Sequence, residues 1–272
     1  MKDTVQSGVT PPQPRNYHGA NWRGLHTLYI REVRRFWKVG VQTVFAPVVT
    51  SLLYMMVFSV ATQGARAPIE GAPFVTFVAP GLVMMAILNN AFANSSSSIL
   101  QAKMQGLAAD FLTPPLSASE LTVGFIAGAA TRGIVVGVVT AVCILPFTHM
   151  AVAHLWAVLW FGLTASLILG MVGVAAGLWA EKFDQMSVVT NFVVMPLTFL
   201  SGTFYLADRL PEPFRTISHF NPMFYMIDGF RYGFIGKADG SILIGVASTA
   251  LLTVVLGLWC WRLFSTGYHL KT

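Results

Sequence analysis

The chain has 272 residues, 55% of them hydrophobic and only 10% charged, with a mean hydropathy of +0.65. A soluble domain carries about 25% charged residues, so this composition excludes a water-facing globule and leaves room for about six apolar spans of ~20 residues each. The net charge of +6 does not gather on one soluble face but near span ends, as membrane orientation requires, so no nucleic-acid partner is expected.

Residues 1–21 are polar and contain Pro11, Pro12 and Pro14, which predicts a disordered cytoplasmic tail. No cleavable signal peptide is expected, so the first span serves as the insertion signal. Over 22–38 a helical period places Trp22, Leu25, Tyr29, Ile30, Val33, Phe36 and Trp37 on one arc. Arg23, Arg31, Arg34, Arg35 and Lys38 fall on the other. This pattern predicts an amphipathic helix lying in the headgroup plane, with the N-terminus inside; a helix packed on protein is the plainer alternative.

Spans are expected at about 39–61, 74–98, 121–147, 155–180, 186–205 and 242–264, with both termini cytoplasmic. Pro47 and Pro196 should kink the first and fifth. The second span turns polar at Asn89, Asn90, Asn94 and Ser95 to Ser98. Amides in hydrocarbon need partners, so this face either glues helices together or lines the translocation path. Residues 101–120 form the main cytoplasmic connection. A short helix from Gln105 to Leu112 is stopped by Pro114-Pro115, and Ser117-Ala118-Ser119-Glu120 has the form of a capping box opening the next span. Arg132 then falls roughly 16 Å along the third span. A charge at that depth must face a cavity or a partner, unless the span starts later and the side chain snorkels. Gly162, Gly170, Gly173 and Gly177 suit the fourth span to close helix approach.

Residues 206–240 are too aromatic for a solvated tether and too interrupted to be a span. Two short helices dipping into the membrane face, a re-entrant hairpin between spans five and six, satisfy the backbone. Its aromatics suit either an interfacial belt or an outer gate. Asp228 and Arg231, three apart on a helix, can pair as a structural clamp. The predicted class is therefore an all-α polytopic membrane protein, with one membrane domain over 22–272.

Cys143 and Cys260 both lie in apolar runs and read as small buried hydrophobes. His149 and His154 lack companions at ligand spacing, so no metal site is expected. The chain contains no GxxxxGK[ST] phosphate loop and none of the HExxH, CxxC or GxSxG patterns. No catalytic residue and no bound cofactor are expected of this chain.

Phe199-Leu200-Ser201-Gly202-Thr203-Phe204-Tyr205 is followed by Leu210-Pro211, Asn221-Pro222-Met223 and Asp228-Gly229-Phe230-Arg231-Tyr232-Gly233. This order resembles the C-terminal signature of ABC-2 type permeases, the membrane subunits of type-2 ATP-binding-cassette exporters, and in particular their YadH-like branch. Asp110-Phe111-Leu112-Thr113-Pro114-Pro115-Leu116 is similar to that family's coupling helix, although Gly106 and Ala109 stand where the family often has a basic and an acidic residue.

The resemblance implies a separate ATPase subunit that binds ATP and Mg, and a second permease copy forming a homodimer in a bacterial-type inner membrane. It implies ATPase coupling through Gln105 and Asp110 to Pro115, and export of an amphiphilic, drug-like or lipid-like substrate. A lipid-linked glycan exporter of the same superfamily is the alternative. An ion-coupled secondary transporter would show inverted repeats, and no two halves of this chain correspond.

Overall fold

The computed structural model describes residues 19–61, 73–107, 116–148, 150–206, 211–212 and 214–269. Among these residues every regular element is helical. The chain runs through α1 (Trp22–Lys38), α2 (Gly40–Ala61), α3 (Phe74–Met104), α4 (Ala118–Ile144) and α5 (Leu155–Trp179). Short pieces follow: α6 (Phe183–Val189), a π-helical segment (Thr190–Val194), α7 (Met195–Phe199), α8 (Phe214–Phe220) and α9 (Pro222–Ile235). The long α10 (Ile242–Thr266) closes the fold.

Five of these helices are long and apolar enough to cross a membrane: α2, α3, α4 with the 3-10 turn that follows it, α5 and α10. Burial orders them. In its most apolar stretch α3 is 83% buried, against 22% for α2 and 11% for α10, so α3 is the axis and the other two are outer staves. Lipid is as apolar as leucine, so close packing and hydrogen bonds hold such a bundle together. α3 packs chiefly on α5 and α4. A Cβ added at Gly173 would sit 2.5 Å from the Phe92 carbonyl oxygen, and one at Gly177 would sit 2.9 Å from that of Ser96. Only glycine lets the two backbones touch there, and the Ser95 hydroxyl uses the proximity to donate to the Gly170 carbonyl at 2.7 Å.

Two helix ends differ from the expected spans. α3 continues to Met104 and closes in a Schellman turn: Gly106 N–H donates to Lys103 and Leu107 N–H to Ala102, with Gly106 at φ +69°. Glycine adopts this left-handed conformation without strain. The fifth span, expected over 186–205 with a break at Pro196, is in three pieces of 7, 5 and 5 residues and ends at Phe199. The cause is Pro196. Its ring leaves no room for the carbonyl four residues earlier, and a wider π turn, with Met195 N–H donating to the Thr190 carbonyl, relieves the clash.

Candidate functional site

One end of the bundle is assembled from α1, the start of α4 and the polar half of α3. Ser117 and Glu120 form the expected capping box: Ser117 Oγ accepts from Glu120 N–H at 3.3 Å, and Glu120 Oε2 accepts from Ser117 N–H at 2.7 Å. The other oxygen of Glu120 accepts from the backbone N–H of Asn21, the residue whose side chain caps α1. One carboxylate therefore ties the end of the 101–120 connection to the start of α1. Leu116 packs against Gly24, where an added Cβ would lie 2.7 Å from a Leu116 methyl. Of the predicted coupling residues, Gln105 is the C-cap of α3; Asp110, Phe111, Leu112, Thr113, Pro114 and Pro115 lie outside the described residues.

α1 also differs from the two-arc pattern. Its buried stripe is Leu28, Glu32 and Phe36, laid mainly along α4, while Trp22 and Trp37 are 73% and 66% exposed. Gly124 and Gly128 of α4 make the groove: an added Cβ would lie 2.5 Å from Leu28 and 2.6 Å from the Glu32 Cβ. Glu32 has no exposed surface. It accepts from the Ser98 hydroxyl at 2.8 Å and pairs with Arg35 at 3.4 Å and Arg31 at 3.5 Å. Arg35, expected on the solvated arc, turns inward and donates to Asn94 Oδ1 at 3.0 Å, the Asn94 carbonyl at 2.6 Å and Ser97 Oγ at 3.3 Å. Glu32 escaped the sequence reading because one acid among five bases looks like a helix-surface charge. Its i, i+4 spacing from Leu28 and Phe36 was the available signal.

The four candidate path residues fall on two surfaces. Asn89 and Asn90 line a cavity of about 510 Å³ between α2, α3 and the broken α6–α7 run, whose other walls include Pro47, Tyr54 and Met195. Asn94 faces α1 and α4, while Arg132 reaches from α4 across to α3. Arg132 Nη2 donates to Asn90 Oδ1 at 3.1 Å. α4 begins at Ala118, so the helix does not start late; Arg132 sits mid-helix and is held by an amide partner. Lys103 donates to the Leu178 and Ala180 carbonyls at 2.5 and 2.8 Å and closes the C-terminal end of α5.

At the opposite end of α3, residues 199–206 and 221–236 form a knot around Arg231. Arg231 is 2% exposed, and its guanidinium donates to the Gly202 carbonyl at 2.6 Å and lies 3.9 Å over the Phe77 ring. Gly202 supports this turn at φ +73°. Asp228 accepts the backbone N–H groups of Asp239 and Gly240, each at 2.9 Å, and so pins the strap that leads to α10. Arg231 and Asp228 thus fasten two different segments, the turn at Gly202 and the strap at 239–240. Asn221 caps α9 from before Pro222 and also donates to the Leu197 carbonyl at 2.7 Å. Gly233 lies against the start of α5, where its carbonyl accepts from Ala153 and His154 at 2.9 and 2.8 Å. Phe204 stacks among Tyr54, Phe58 and Phe199. Every signature residue described here serves packing or capping.

A bundle of long apolar helices around a polar-faced axis, with a cavity beside that axis and one braced end, has the build of an integral membrane protein, and its relatives make it a transport permease. The chain belongs to the ABC-2 type transporter family, whose model matches residues 23–235. It is 34% identical over 252 residues to the inner membrane transport permease YadH of Escherichia coli K12, covering 92% of this chain and 98% of that protein. It is also 23% identical over 247 residues to nodulation protein J of Rhizobium leguminosarum bv. viciae, covering 87% and 91% respectively.

Proposed function

We propose that this permease is the membrane half of an ATP-driven exporter that moves an amphiphilic, drug-like or lipid-like substrate across the inner membrane. It works as a homodimer with separate ATPase subunits, which bind ATP and Mg. Both termini face the cytoplasm, and the α6–α7 run serves as a broken fifth span, with 206–240 as a re-entrant hairpin between it and α10. The observation that carries this reading is the brace at Glu120. The connection that would dock on an ATPase is hydrogen-bonded to α1, and α1 is bonded through Glu32 and Arg35 to the polar face of α3. A push that reaches Ser117 and Glu120 would thereby be passed through α1 to the helix that walls the cavity.

The test is co-purification with a P-loop ATPase whose hydrolysis rate changes on association. Replacing Asp110 and Phe111 together with alanine should leave the permease folded and lower transport about tenfold or more, the effect of losing about 1.4 kcal/mol of coupling. Unchanged ATPase binding and transport in that variant would overturn the coupling assignment.

A further inference from the structure

Where α1, α3 and α4 meet, hydrogen-bond donors exceed acceptors. Asn90 and Asn94 are one turn apart on α3, as Gly128 and Arg132 are on α4. The amide oxygen of Asn90 is taken by Arg132 and that of Asn94 by Arg35. Three buried donors at this junction have no acceptor: Nε of Arg35, Nε of Arg132 and Nδ2 of Asn94. The Asn94 nitrogen faces α4, 3.8 Å from where a Gly128 Cβ would be. Glu32 supplies a carboxylate, but Ser98, Arg31 and Arg35 already engage its oxygens. The two guanidiniums feel each other's charge, so the junction holds an excess of positive charge as well as of N–H groups. Buried donors are normally satisfied, and the group that satisfies several at once is an oxyanion, with many lone pairs and no proton to give.

The surroundings say what carries that oxyanion. Asn90 and Ser97, the partners of Arg132 and Arg35, also line the cavity of about 510 Å³, whose other walls are largely apolar. On the inner face, Arg31, Arg34, Lys38 and His26 line a basic groove that includes Arg35. A cationic path thus leads from the headgroup level to the edge of an apolar chamber.

We propose that the Arg35–Arg132 junction binds the acidic headgroup, a phosphate or carboxylate, of an amphiphile whose apolar body occupies the adjoining cavity. This rests on the permease reading and narrows its cargo to anionic amphiphiles taken from the inner leaflet.

The experiment titrates the purified full-length chain, in phosphatidylcholine nanodiscs, with fluorescent short-chain phosphatidylglycerol and with the phosphatidylcholine of the same tails. The anionic probe should bind about tenfold tighter, the scale of one charge-assisted contact. Arg132→Gln should abolish that preference, and Arg132→Lys should retain part of it. Asn94→Asp, which places a carboxylate among the unsatisfied donors, should remove it independently, so a misfolded Arg132 variant does not end the test. Phosphatidylcholine binding should stay constant throughout and report an intact cavity. Equal binding of the two probes to the unaltered protein, or a preference that survives both Arg132→Gln and Asn94→Asp, overturns the proposal. Binding is read without an ATPase, so failure to find a nucleotide-hydrolysing partner would sink the permease mechanism and not this site. With the ATPase present in vesicles, movement of the anionic probe between leaflets on ATP addition identifies cargo. A probe that binds and stays identifies a resident lipid held by the same oxyanion chemistry.

Discussion

Glu32 and Arg231 put charge where neither water nor a headgroup can solvate it, so their partners decide whether the fold tolerates them. Removing one member of a buried pair costs about 3–5 kcal/mol because the other is left unmatched. Glu32→Ala should therefore lower the thermal midpoint in detergent strongly, with Arg35 stranded against Asn94. Combining it with Arg35→Ala should recover part of the loss, and a purely additive double variant would show that the pair is not coupled. Arg231→Met keeps the bulk over Phe77 but strips the Gly202 carbonyl of its donor; expression of folded protein should fall, while a fully stable variant would contradict the knot. At this scale the sequence was partly legible. The Ser117–Glu120 cap and the crowding at Gly173 and Gly177 follow from local spacing. The inward turn of Arg35 does not, because nothing in one helix tells which neighbour will offer it an amide.

Elements transmit what residues anchor. α1 is bonded at its start to Glu120 and along its length to α3 and α4, so it should move with them. Replacing Glu120 by alanine removes a cap of about 0.5–2 kcal/mol and frees the start of α1. Hydrogen exchange should quicken over 22–28 and remain unchanged in α5; protection retained over 22–28 would detach α1 from the proposed lever. The α6–α7 run offers a second handle. Pro196→Ala restores a backbone N–H and allows a regular helix, worth up to about 3 kcal/mol. The thermal midpoint should then rise while transport falls, because straightening this run reshapes the cavity wall. A variant that gains stability and keeps full transport would make the π segment a tolerated irregularity with no role in gating.

In the whole molecule, two outer staves remain uncovered. α2 and α10 present Phe45, Met56, Leu251 and Leu258, all more than half exposed, to whatever surrounds the bundle. Lipid covers such faces without further help, and the proposed homodimer would cover part of them. Mass measurement of the ATPase complex should find two permease copies with two ATPases; a single permease copy in an active complex would overturn the dimer. Labelling should place residue 108 and the N-terminus on the same side of the bilayer.

The all-helical apolar class follows from composition, since bilayer thickness turns apolar length into spans; five of the six expected spans are helices long and apolar enough to cross. The chain by itself also determined where α4 would be capped and which glycines would let α5 approach. Only the tertiary structure decided that α3 is the axis, that Glu32 is buried, and that Asn89 and Asn94 serve different surfaces. A helical repeat tells which residues share a face. What that face meets depends on helices distant in the chain, whose packing no local pattern encodes.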